Sequence, residues 1–140
     1  MSLLDEIVES EGDRLVARLT VRDDGLFNDP ALQGAVPAWV GVEYLAQAAA
    51  AHLGVEQRRN GQPPRVGFLL GTRLYTSNVA AFVPGTVLTV SVERSVLAQS
   101  GMAAYDGRLE GEGIVATASI NTFLPKDASS LQSMLAQVSR

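Results

Sequence analysis

The sequence predicts an α+β domain in which one long apolar helix is wrapped by a curved antiparallel sheet. Two observations carry this. The stretch VPAWVGVEYLAQAAAAHL, from Val36 to Leu53, is apolar on nearly every side, so as a helix it should be buried on both faces. Three strand candidates joined by short turns close the chain's second half, and short turns make an antiparallel meander.

Composition sets the outer bounds. At 140 residues the chain is one domain, and its 46% apolar and 19% charged residues are those of a soluble globular protein. A net charge of −4 with no basic stripe argues against general nucleic-acid binding. With no cysteine and one histidine, neither a thiol nucleophile nor a transition-metal site is expected. No run has the length and flanks of a signal peptide or a membrane span, so a cytoplasmic protein is the expectation.

The elements follow in order. Residues 1–10 read as a short strand, and Glu11-Gly12-Asp13 as a turn. From 14 to 22, Leu15, Ala17, Leu19 and Val21 alternate with Arg14, Arg18, Thr20 and Arg22, which makes a half-buried strand and, with the first, a hairpin. An irregular loop, Asp23 to Ala35, leads to the helix. Pro37 takes the favoured first helical position, and the helix runs to about Arg59, before Asn60-Gly61. Strands are expected at 66–76, 86–99, 101–110 and 113–123. Leu131, Met134, Leu135 and Val138 then sit at helical spacing, so residues 127–140 read as a short helical tail on a domain of residues 1–126.

Three polar side chains interrupt the helix. Glu43 and Gln47 are four apart, hence on one face, where the amide can orient the carboxylate. His52 is nine residues from Glu43, about 180° round and about 13 Å along the axis, so the two cannot share a site on the same helix.

These residues resemble a known family. PAWVGVEYLAQ (37–47) resembles the P-G-V-x-x-x-E-A-x-A-Q signature of hotdog-fold 3-hydroxyacyl-[acyl-carrier-protein] dehydratases, with Pro37, Glu43, Ala46 and Gln47 at the same spacings. FLLGTR (68–73) and Pro84-Gly85 are similar to that family's next strand and turn. More closely, LFNDP, GAVPAWVGVEYLAQ and VGFLLGTR together resemble the dehydratase-like proteins of aryl polyene gene clusters, over about residues 3–125.

The resemblance implies a dimeric hotdog domain acting on acyl thioesters carried by the phosphopantetheine arm of an acyl carrier protein, with no cofactor of its own. Dehydration requires a base for the C2 proton and an acid for the leaving hydroxyl. In the resembled family a histidine from one subunit meets a carboxylate from the other. Here Glu43 takes the carboxylate's place, supported by Gln47. Substrate contacts are expected from Asp29, Pro37, Ala38 and Trp39 around the helix start, and from Gly71 in the next strand. The family histidine precedes the signature proline by eight residues; that position holds Asp29, and the loop contains no histidine. A loop carboxylate is a poor base for a C2 proton.

Three functions remain open on this evidence. One is a dehydratase completed by a histidine from a partner hotdog subunit. Another is a non-catalytic acyl-carrier-protein binder that stabilises such a partner, and the third is a hotdog thioesterase. Beside them stand structural readings: Glu43 as a carboxylate paired across a dimer interface, Asn28 and Asp29 as turn residues, His52 as an ordinary residue near a helix end. Trp39 and Tyr44 read first as core or interface aromatics. Arg58 and Arg59 read as a solvated helix end, or as a basic spot for the carrier protein.

Overall fold

A computed structural model describes residues 3–63 and 67–125. Strands β1 (Glu6–Glu11) and β2 (Arg14–Thr20) form a hairpin whose turn needs Gly12 at φ 57. The expected alternation holds on β2: Leu15, Ala17 and Leu19 are buried while Arg14, Arg18 and Thr20 are exposed. The central helix, α1, spans Gly41–Arg59 and is followed by β4 (Phe68–Ser77). The meander comprises β6 (Val87–Leu97), β7 (Met102–Gly111) and β8 (Ile114–Phe123). A six-stranded antiparallel sheet runs in the order β1-β2-β6-β7-β8-β4 and curves under the helix.

Register places one face of this sheet against α1. Leu15 lies opposite Val92, Ala17 opposite Val90 and Leu19 opposite Leu88, and all six are buried. Toward the other edge the inner face turns small: Ala103, Gly107, Ala116 and Ala118 let the helix settle close. At Gly107 a Cβ would stand 2.9 Å from Leu45 Cδ2, so glycine is needed there for the helix to approach. Burial of Leu45 alone stabilises the packing by about 2 kcal/mol.

Two expectations about the helix are corrected. Val36 and Pro37 are not helical. They form a two-residue strand, β3, paired with β5 (Ala81–Phe82), and Ala38 N–H continues the attachment by donating to Ala80 O at 2.9 Å. A 3-10 turn at Ala38–Val40 then leads into α1 at Gly41. Pro37 fits this entry because its φ of −56° is combined with an extended ψ of 143°. Glu43 therefore lies in the first turn of the helix.

The second correction concerns cover. Tyr44, Leu45, Ala48, Ala49, His52 and Leu53 are buried against the sheet, but Glu43 and Ala50 are exposed and Val42, Ala46, Gln47, Ala51 and Gly54 only half-buried. A single six-stranded sheet packs one side of a helix, and within one chain the opposite stripe is left open. The expected tail helix lies outside the described residues.

Candidate active site

The uncovered stripe of α1 begins at Glu43. Its carboxylate is exposed and has no hydrogen-bond or ion-pair partner among the described residues. A carboxylate in a first helical turn is favoured there by the positive end of the helix dipole. Gln47, one turn on, accepts a hydrogen bond from Leu3 N–H at Oε1, 2.6 Å away. Within the chain it anchors the N-terminal segment across the helix rather than holding Glu43.

The other expected site residues divide into two groups. Pro37, Ala38 and Trp39 build the entry to the helix beside Glu43. Trp39 is 60% exposed and packs edge-on against Phe27, ring centroids 5.9 Å apart. Asp29 and Gly71 do something else. The Asp29 carboxylate caps a 3-10 turn at Pro30–Leu32 by accepting from Ala31 N–H at 2.9 Å, so the aspartate at the family's histidine position serves its own loop. Asn28 beside it ties the loop together, accepting from Gly25 N–H and donating to the Gly34 carbonyl at 2.7 Å each. Gly71 sits on β4 opposite Asn121, and a Cβ there would meet nothing within 4 Å. No close backbone approach among the described residues accounts for this glycine.

His52 lies on the opposite side of the helix from Glu43, only 1% exposed. Its two ring nitrogens meet Tyr105 Oη and the Gly12 carbonyl, each at 2.8 Å. A carbonyl only accepts, so Nε2 carries the proton and Nδ1 accepts from the tyrosine hydroxyl. Burial pushes the Tyr105 hydroxyl up to about 12, which keeps it a donor.

Near His52, at the far end of α1, sits a charged network that the sequence reading did not anticipate. Arg94 is clasped by Glu56 in two hydrogen bonds, at 2.9 and 2.6 Å, and by Asp13 Oδ1 at 2.8 and 3.1 Å. The Arg94 hydrogen bonds hold the Glu56 carboxyl below its ordinary range, and the carboxylates hold Arg94 above its own. A sequence signal existed. Leu88, Val90 and Val92 point inward, so by the period of two Arg94 does as well, and Glu56 follows His52 by four on the helix. Arg59 is also engaged, donating to the Ser10 carbonyl at 2.6 Å. A cavity of about 400 Å³ opens beside this network, lined by Leu53, Glu56, Arg94, Leu97 and Ala103 among others. It lies at the opposite end of the helix from Glu43. Among the described residues no three carboxylate or imidazole groups gather as a metal site, and no helix is long and apolar enough to cross a membrane.

One long helix laid across a curved antiparallel sheet makes this a hotdog-fold protein. The chain belongs to the ApeP-like family, described as ApeP dehydratase, whose model matches residues 1–135. Among solved structures it is similar to the dehydratase heterocomplex ApeI:P from Xenorhabdus doucetiae, at 24% identity and a TM-score of 0.83, covering 96% of this chain and 89% of that one. It is also similar to a hypothetical thioesterase with coenzyme A from Streptococcus pneumoniae, at 16% identity, a TM-score of 0.62 and coverage of 85% and 84%. The TT0310 protein from Thermus thermophilus matches at 17% identity and 0.62, over 84% and 89%. These likenesses show the fold. No curated protein matches the sequence.

Proposed function

We propose that this chain supplies the carboxylate half of a dehydratase site, completed by a histidine from a partner hotdog subunit, and acts on 3-hydroxyacyl thioesters carried by an acyl carrier protein. One observation carries the reading: Glu43 is presented without a partner among the described residues on the open helix stripe, while the chain's single histidine is enclosed on the far side. The same stripe is where a second hotdog subunit would bring its histidine. That the solved ApeI:P dehydratase is a heterocomplex supports this arrangement.

In the proposed reaction the partner's imidazole removes the C2 proton, and the electrons pass into the thioester carbonyl. Collapse of that enolate expels the C3 hydroxyl. Glu43, acting as the acid of the assembled site, delivers a proton to it, so that water leaves and an enoyl thioester remains. Amide N–H groups at the start of α1 stabilise the oxygen on which charge develops. The acyl chain follows the apolar, half-buried positions of the helix between the two subunits.

The test is dehydration of a 3-hydroxyacyl-carrier protein by the purified chain, alone and mixed with a histidine-containing hotdog homologue. Turnover by the mixture only, lost with Glu43→Gln, is the expected result. Full turnover by the chain alone overturns the shared-site reading. No turnover in either case leaves a carrier-protein binder, and release of free carrier thiol identifies a thioesterase, the chemistry named for one of the structural relatives.

A further inference from the structure

At the entry to α1, a tyrosine from the edge strand fixes one peptide group. Tyr75 Oη donates to the Ala38 carbonyl oxygen, at 2.5 Å, from a half-buried position against the core. That same carbonyl accepts from Gly41 N–H. The helix is shaped to receive the hydroxyl: a Cβ on Gly41 would stand 2.2 Å from Tyr75 Oη, 3.1 Å from its Cζ and 2.8 Å from Leu109 Cδ1. Burial raises the Tyr75 hydroxyl above its ordinary range, so it remains a donor.

Holding the carbonyl holds the amide that follows it. Among the described residues no peptide is cis, and in a trans peptide C=O and N–H point in opposite directions. With the Ala38 carbonyl drawn to Tyr75, Trp39 N–H is turned away from it. Of its neighbours, Pro37 has no N–H, Ala38 donates to Ala80 O, and Gly41 turns back to the Ala38 and Trp39 carbonyls. Trp39 N–H is the amide of this entry whose direction the Tyr75 hydrogen bond sets, because it shares a peptide plane with the Ala38 carbonyl.

We propose that Tyr75 is a positioning residue: through the Ala38 carbonyl it aims Trp39 N–H at the thioester oxygen of the substrate bound beside Glu43. The assignment rests on the dehydratase reading above. Tyr75 itself touches no reacting atom. It holds a donor at one orientation while charge develops on the oxygen, where a flexible donor would have to reorient first.

The experiment compares Tyr75→Phe with Glu43→Gln in the assembly with the histidine-bearing subunit. Phenylalanine keeps the ring and its packing and removes only the hydroxyl. Expected are a kcat lower by about 10-fold, a KM for the carrier-bound substrate within about 2-fold, and an unchanged melting temperature. In amide NMR of the same assembly, Trp39 should shift when a non-reactive 3-hydroxyacyl-pantetheine amide is added, and should lose that shift in Tyr75→Phe. Unchanged kcat, or a Trp39 amide indifferent to the added amide, overturns the assignment. So does a kcat loss seen only together with lower thermal stability, since that is a structural role. If wild-type assemblies do not dehydrate at all, the reading of the site fails and this assignment with it. If Glu43→Gln is inactive and Tyr75→Phe fully active, the assignment alone falls.

Discussion

Glu43 and His52, nine residues apart on one helix, stand on opposite sides of it with opposite surroundings. Glu43 faces outward with no partner among the described residues, whereas His52 is enclosed between Tyr105 and the Gly12 carbonyl. An acid–base pair needs its two members to converge on one substrate, so these two cannot form one within a chain. Each instead has its own consequence under mutation.

Glu43→Gln should leave folding intact, because an exposed carboxylate with no partner has little to lose. Dehydration by the assembled enzyme should fall by at least about 100-fold, the scale of a lost general acid. Thermal melting and a turnover assay on the same preparation check both halves.

His52→Phe should do the reverse. The Tyr105 hydroxyl would lose its partner inside the core and the Gly12 carbonyl its partner at the hairpin turn, at a cost of about 2 kcal/mol. Urea unfolding should show that loss, while activity per folded molecule stays near the wild-type value. A selective loss of kcat would mean that His52 takes part in the chemistry.

Glu56 links stability to pH. Its carboxyl titrates below its ordinary value because Arg94 hydrogen-bonds the ionised form. A carboxyl with a depressed folded-state value stabilises the fold above its unfolded value, and that contribution disappears as pH falls through the folded one. Glu56→Gln should therefore melt at lower temperature at pH 7, and its stability should decline less on acidification below about pH 4. Parallel melts from pH 3 to 7 read the difference. Identical slopes would show that the pair contributes nothing.

Gly41→Ala should destabilise the chain by about 2 kcal/mol, since the new methyl has no room beside Tyr75 and Leu109. Adding Tyr75→Phe removes the nearest atom and should recover part of that loss. A double-mutant cycle measures the coupling; strict additivity would mean that the two residues do not press on each other.

Much of the fold was legible in the chain. Alternation along residues 14–20 announced a half-buried strand, the short turns announced the meander, and the apolar stretch announced the central helix. The spacing of Pro37, Glu43, Ala46 and Gln47 pointed to the family, and the nine-residue separation put His52 behind Glu43. These are local properties, set by the periods of helix and strand. What the chain could not state were relations between distant segments. The helix begins at Gly41 because Val36 and Pro37 pair with Ala81 and Phe82, elements too short to leave a period. Gln47 turns to Leu3 because folding brings the N-terminal segment over the helix. Tyr75 reaches Ala38 from a strand whose register shifts twice and whose Leu74 adopts φ 57, which erases the alternation that would have shown its direction. Sequence determined which surfaces must be buried; tertiary structure decided which of them one chain can cover by itself, because a single sheet closes over only one side of a helix.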